Sequence, residues 1–213
     1  MRSSHSLPAV RGVRSTEMNL PRRLTLLALV AALSACSSWH TANFQGTAVV
    51  PVQSAPDFTL TDQSAKTWTL SSQRGENVAL FFGYTHCPDV CPATMATLAR
   101  ATDALGAKKD SVEIAFVTVD PQRDTPAVLA KYVKLFGNEK IVGLTGSPGQ
   151  LAPVLRLYHV WAQRIPGNAK HGGYDMAHSS AVYLIDASGN LRVVHNWDDT
   201  QAAFTHDLKE LAG

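Results

Sequence analysis

Along this 213-residue chain the spacing of hydrophobic positions changes at one junction. Residues 78–82 form a continuous apolar run rich in strand formers, whereas Met95, Leu98, Thr102 and Leu105 recur at helical spacing, so a buried strand is expected to lead into a helix. Cys87 and Cys91 lie between the two. Asp89 is placed to cap that helix, and Pro92 falls in its first turn, where a missing N–H costs little because it would lack a partner anyway. Cys91 then sits in the first turn itself. Unpaired N–H groups and the positive end of the helix dipole favour a thiolate there, and cysteine pKa values at such sites fall from ~8.5 to roughly 3.5–7.5. Such a pair is suited to redox chemistry or to a metal.

The same reading places the other elements. Residues 58–60 and 67–70 alternate around a polar turn and predict an N-terminal hairpin. Residues 112–119 form the next buried strand, which ends in Asp120-Pro121-Gln122-Arg123-Asp124-Thr125-Pro126. Thr125 caps a helix that begins at Pro126 and buries Val128, Leu129, Tyr132, Val133 and Phe136. Residues 141–144 are strand-like. Ser147 and Gln150 make a capping box for a helix through Val154, Leu155 and Tyr158. Residues 161–174 are polar and Gly-containing and read as an extended segment plus a loop. Residues 181–185 and 191–195 flank a turn as a second hairpin, and Phe204, Leu208 and Leu211 stripe a final helix. Leaving the first hairpin aside, the order is βαβα(β)αββα: an α/β chain with a mixed sheet covered on both faces.

Composition adds a leader to this picture. Residues 1–35 hold five of the 19 Lys and Arg residues but one of the 17 Asp and Glu residues, leaving fourteen basic against sixteen acidic residues behind them. The overall charge of +2 therefore comes from the leader, and it gives no argument for a nucleic-acid partner. Arg22-Arg23, the apolar run 24–32 and Leu33-Ser34-Ala35-Cys36 have the basic, apolar and small-residue parts of an export signal. The ending resembles a bacterial lipobox, in which Cys36 is lipidated and becomes the new N-terminus. A plain cleaved signal and an uncleaved anchor remain the alternatives, although ~12 apolar residues rise only about 18 Å against a hydrocarbon core of ~30 Å. Met18 is a better start than Met1 for such a signal. The expected organisation is residues 1–35 as signal peptide, 36–55 as lipidated N-terminus and flexible tether, and 56–213 as the folded domain.

A dithiol between the first core strand and its helix looks like a thioredoxin-type fold, although the spacing is Cys-x-x-x-Cys, one residue longer than thioredoxin's. Three features together resemble the SCO/SenC family: Gly83-Tyr84-Thr85-x-Cys87-Pro88-Asp89-x-Cys91-Pro92, Val119-Asp120-Pro121-x-Arg123-Asp124-Thr125-Pro126, and His178 ahead of the closing hairpin. Members of that family are copper-binding assembly factors for the binuclear copper centre of cytochrome c oxidase. The resemblance implies a thioredoxin-like domain that binds a copper ion, Cu(I) or Cu(II), through Cys87, Cys91 and His178. It also implies a membrane-anchored periplasmic lipoprotein whose acceptor is the copper-site subunit of the oxidase, with a copper donor protein or a thioredoxin-like reductant as a further partner. Many members carry an acidic residue beside the histidine, where this chain has Ala177.

Soft thiolates favour Cu(I) and imidazole suits Cu(II), so two cysteines and one histidine can hold either state; zinc tolerates the same groups but usually wants a fourth protein ligand at a closed site. A plain stabilising disulfide is the bland reading of Cys87 and Cys91, and a loop that small removes little unfolded-state entropy. A thiol–disulfide oxidoreductase uses the same two cysteines as its dithiol and does not need His178. Peroxide reduction is disfavoured, because the Pro-x-x-x-Thr-x-x-Cys arrangement is missing. His86 and His171 are candidate auxiliary copper contacts, and Met176 offers a thioether that is more often core. Arg123 and Asp124 read either as turn and cap residues or as a rigid pair shaping the rim of the site. Trp161 and Trp197 read as core or half-buried aromatics.

Overall fold

The computed structural model describes residues 43–167 and 173–213. The signal segment, Cys36 and His171 lie outside the described residues. Ten strands are described: β1 (Thr47–Ser54), β2 (Thr59–Asp62), β3 (Thr67–Thr69), β4 (Asn77–Gly83), β5 (Val112–Thr118), β6 (Ile141–Thr145), β7 (Ala162–Pro166), β8 (Tyr174–His178), β9 (Val182–Ile185) and β10 (Asn190–His195). The helices longer than one or two turns are α1 (Val90–Asp103), α2 (Pro126–Val133), α3 (Pro148–Leu157) and α4 (Gln201–Ala212).

Eight strands form one mixed sheet in the order β1-β10-β9-β4-β5-β6-β2-β3. Its centre, β4-β5-β6, is parallel, joined by α1 and α2, and every residue of β4 and β6 is buried. Continuous apolar runs rather than alternation are what strands covered on both faces require. Because strand side chains alternate between faces, neighbouring Phe81 and Phe82 seed two separate aromatic clusters. Phe81 packs on Phe116, which packs on Tyr132 of α2. Phe82 packs on Tyr158, at the end of α3, and on Tyr183 of β9. Full burial of each such ring contributes about 1.5–3 kcal/mol. The expected caps form: Thr125 Oγ1 accepts from Val128 N–H, and Ser147 with Gln150 makes the reciprocal capping box.

One expectation changes and another is extended. The segment expected to be a flexible tether contains β1, which pairs antiparallel with β10, so the fold starts before residue 56. It escaped pattern reading because it is an edge strand with nearly all of its side chains in solvent, Val50 and Val52 included, and ladder hydrogen bonds rather than a buried stripe hold it. Just ahead of it, the N–H groups of Gln45 and Gly46 donate to the buried carboxylate of Asp207 in α4, which also faces His195. Gly46 is required there, since a Cβ would lie 2.6 Å from Val193 Cγ1. Secondly, the extended segment expected at the start of residues 161–174 is β7, and it pairs with β8 as a separate two-stranded sheet of which His178 is the last residue.

A chain truncated to begin at residue 56 should therefore be less stable to urea than one beginning at residue 42, by roughly 1–3 kcal/mol for the buried carboxylate that loses its two backbone donors. Equal midpoints and slopes would show that β1 is dispensable.

Candidate metal centre

The strand β4 ends at Gly83, and the chain crosses the sheet edge through residues 84–89 before α1 begins. Gly83 is required by what packs on it: a Cβ would lie 2.9 Å from Cys91 Sγ and 2.8 Å from Phe116. Cys91 is accordingly fully buried in the first turn of α1, while Cys87 is only half-buried in the loop before it. Asp89 stands at the formal N-cap position but makes no side-chain cap bond. The sulfur of Cys87 does this instead, accepting the N–H of Cys91 at 3.4 Å.

That exchange reverses the expected roles of the two sulfurs. The Cys87 thiol is held far below the usual range, chiefly because the Cys91 side chain donates to it; with the N–H groups of Cys91 and Asp89 at the helix start, this outweighs desolvation by burial. Cys91 is pushed up by its bond to that anionic sulfur and by burial. The pair is a surface-facing thiolate backed by a buried thiol, and both are free cysteines.

His178 arrives from β8. Its Nδ1 lies 2.7 Å from the carbonyl oxygen of Ser179, an acceptor only, so Nδ1 carries the proton. Nε2 then keeps its lone pair and faces Cys91 Sγ at 3.6 Å. Tyr84 packs its ring edge-on to the imidazole, 5.7 Å between centroids. Burial pushes the phenol of Tyr84 up to about 12.

The loop after β5 holds the two halves of the site together. Asp124 is 0% exposed and accepts from Thr118 Oγ1, Thr85 Oγ1 and Thr85 N–H, which ties the cysteine loop to the end of β5. Burial raises its carboxyl, partly offset by those bonds. Asp120 accepts from Arg123 and from the hydroxyl of Tyr174, the first residue of β8. Arg123 also donates to the carbonyl of Tyr174 at 2.9 Å. Arg123 and Asp124 thus do not work as a pair: Arg123 reaches the histidine hairpin and Asp124 the cysteine loop. The cap forms at Thr125, while Arg123 and Asp124 each tie this loop to a different half of the site.

The remaining candidates divide. His86 bonds through Nδ1 to Thr85 Oγ1 at 3.0 Å and lies 3.8 Å from Asp124, so the nitrogen described in contact is turned to the loop. Met176 shares a strand face with His178 and packs against the core. Trp161 and Trp197 are not core, being 56% and 43% exposed. Their backbones flank the site instead: the Trp161 carbonyl accepts from Ser179 N–H, and the Trp197 carbonyl from Thr94 Oγ1 in α1. Tyr84 and Tyr174 were missed as site residues. The alternation Tyr174-x-Met176-x-His178 was the available signal for β8.

Two donors bound to one zinc-sized ion at about 2.3 Å (sulfur) and about 2.0 Å (nitrogen), at tetrahedral or trigonal angles, stand ~3.5–3.7 Å apart. The separation of 3.6 Å between Cys91 Sγ and His178 Nε2 fits that spacing. Among the described residues no three His, Cys, Asp or Glu side chains already form a group that could hold an ion, so a three-donor site would need a further donor to close in. The half-buried sulfur of Cys87, on the loop, is placed to do so.

A dithiol at a strand-to-helix corner, with an imidazole from a neighbouring hairpin facing one of its sulfurs, on a mixed sheet covered by helices, defines a thioredoxin-like protein. The SCO1/SenC family description matches residues 49–213, and the chain belongs to that family. A SCO2-like protein of Rickettsia felis is 37% identical over 133 residues, 62% of this chain and 64% of that protein. The chain spans between half and about 64% of the length of the first curated relatives it matches. Bradyrhizobium japonicum ScoI, solved with copper bound, is 38% identical with a TM-score of 0.67, covering 74% of this chain and 98% of that one. BsSco, described as a member of the Sco family of cytochrome c oxidase assembly proteins with a disulfide switch, is 24% identical with a TM-score of 0.59, a likeness of fold, over 76% of this chain and 95% of that one.

The asymmetry of the sulfurs sets a labelling order. In the reduced, metal-free protein at pH 6, iodoacetamide should modify Cys87 at least about tenfold faster than Cys91, because a lowered pKa keeps the thiolate at a pH where an ordinary thiol of ~8.5 is protonated. Fragment-ion mass spectrometry of the one tryptic peptide that holds both cysteines reads the order. Equal rates, or Cys91 first, would contradict the assignment.

Proposed function

We propose that this chain is a copper carrier of the cell envelope that holds the ion through Cys87, Cys91 and His178 and delivers it to the binuclear copper site of cytochrome c oxidase. The observation that carries the reading is the placement of the His178 ring: Nδ1 lies 2.7 Å from the Ser179 carbonyl oxygen, which leaves the Nε2 edge facing Cys91 Sγ at 3.6 Å. The donor chemistry supports copper in particular. Two thiolates suit Cu(I), the added imidazole suits Cu(II), and a site open on the Cys87 side lacks the fourth protein ligand a structural zinc would want. Family membership and the copper-bound ScoI relative support the same choice. Delivery requires no catalytic turnover, only that the acceptor's thiolates can replace those of this chain one at a time, and the half-buried sulfur of Cys87 is the one to leave first. Lipidation at Cys36 would tether the carrier to a membrane surface next to a membrane-embedded oxidase.

A second reading is favoured by one specific observation, the unequal burial of the pair: Cys87 is half-buried and accepts the Cys91 N–H at the helix start, while Cys91 is fully buried. In a thiol–disulfide oxidoreductase, Cys87 attacks a disulfide of the acceptor and forms a mixed disulfide. Cys91, losing its proton, then attacks Cys87 Sγ, releasing the acceptor as a dithiol and leaving Cys87–Cys91 oxidised. A thioredoxin-like dithiol would restore the pair.

The two readings part at His178. With His178→Ala, the carrier reading expects loss of the thiolate-to-Cu(II) charge-transfer band and of oxidase assembly in complementation. Retention of full assembly by that variant would favour the oxidoreductase, and an unchanged Cu(II) spectrum would remove His178 from the donor set.

A further inference from the structure

The two-stranded sheet that presents His178 is separate from the eight-stranded one, and an isolated hairpin is marginally stable at best in water. Something outside its own ladder has to fix it over the cysteines. At its far end the ring of Tyr174 is sandwiched between two guanidinium groups, with Arg123 Cζ at 3.7 Å from the ring centroid and Arg164 Cζ at 3.8 Å. The phenol donates to the Asp120 carboxylate, whose oxygens lie at 2.9 and 3.1 Å, and the Tyr174 carbonyl accepts from Arg123 Nη1. Arg164 belongs to β7, where it pairs with Met176, and its guanidinium also bonds Gln122. One aromatic ring therefore joins both strands of the hairpin to residues 120–123 of the loop that follows β5.

We propose that Tyr174 is a positioning residue: the Arg123–Tyr174–Arg164 stack pins the hairpin and so decides whether His178 completes the sulfur pair. This rests on the copper reading for its consequence. With the stack closed, three donors converge and Cu(II) is held; with the stack open, the imidazole swings away and leaves the two sulfurs, which suffice for Cu(I). The stack biases the site between oxidation states without touching the ion.

The test uses the full-length chain with Tyr174→Leu, Tyr174→Phe and Arg164→Ala. In the metal-free proteins, hydrogen–deuterium exchange over residues 174–179 should speed up about tenfold in Tyr174→Leu, less in Arg164→Ala, and little in Tyr174→Phe, which keeps the ring between the cations. Exchange over residues 78–83 and 112–118 should not change. By chelator competition, Cu(II) affinity should drop about tenfold in Tyr174→Leu with Cu(I) affinity within about twofold. Unchanged exchange at residues 174–179, or equal losses for Cu(I) and Cu(II), would overturn the proposal. Should Tyr174→Leu loosen the whole domain, Arg164→Ala, an exposed side chain, decides by the same criteria. A wild-type chain that binds no copper would refute the carrier reading, while the exchange measurement would still decide whether the stack pins the hairpin.

Discussion

The site depends on two buried carboxylates four residues apart in one loop. Asp124 takes the donors of the cysteine loop and Asp120 takes those of the histidine hairpin, and both are carried by the end of the buried strand β5. The dithiol and the imidazole belong to different elements, the start of α1 and the end of β8. The cost of burying two acids is offset by satisfying them fully: Asp124 accepts three hydrogen bonds and Asp120 pairs with Arg123. Loss of either carboxylate would leave buried donors without partners on one side of the site, so the loop is constrained chemically as well as sterically.

The sulfurs show how a helix start differentiates two identical side chains. Cys87 occupies the place a capping oxygen would take and gathers donors, while Cys91, one turn on, is packed against Gly83 and fully buried. An accessible thiolate with a buried thiol behind it can begin ligand exchange or disulfide exchange equally well. What separates the two chemistries is the third group, and here the imidazole arrives with its tautomer already set by the Ser179 carbonyl.

Much of this was legible in the sequence because the core strands and helix starts carry local signals. The run 78–82, the caps Thr125 and Ser147, and the closing hairpin all formed as their residues required. The expectation that His178 meets the cysteines came from the family resemblance and not from periodicity; the structure brings its Nε2 within 3.6 Å of Cys91 Sγ. β1 was hidden because an edge strand needs only backbone bonds, and β8 because its half-buried residues lie beside a Gly-rich stretch. The thiolate was assigned to Cys91 from its helical position, but the helix-terminal N–H groups are aimed at the preceding sulfur, which only coordinates reveal. Arg123 and Asp124 looked like a pair because they are adjacent; their partners are 51 and 39 residues away in sequence.

The measurement that bears most directly on the central claim is X-ray absorption at the copper edge of the full-length chain loaded with Cu(II). Convergence of the cysteine corner and the hairpin predicts two sulfur scatterers together with the multiple-scattering pattern of an imidazole. A shell of oxygen and nitrogen alone, or sulfur with no imidazole signature, would contradict it.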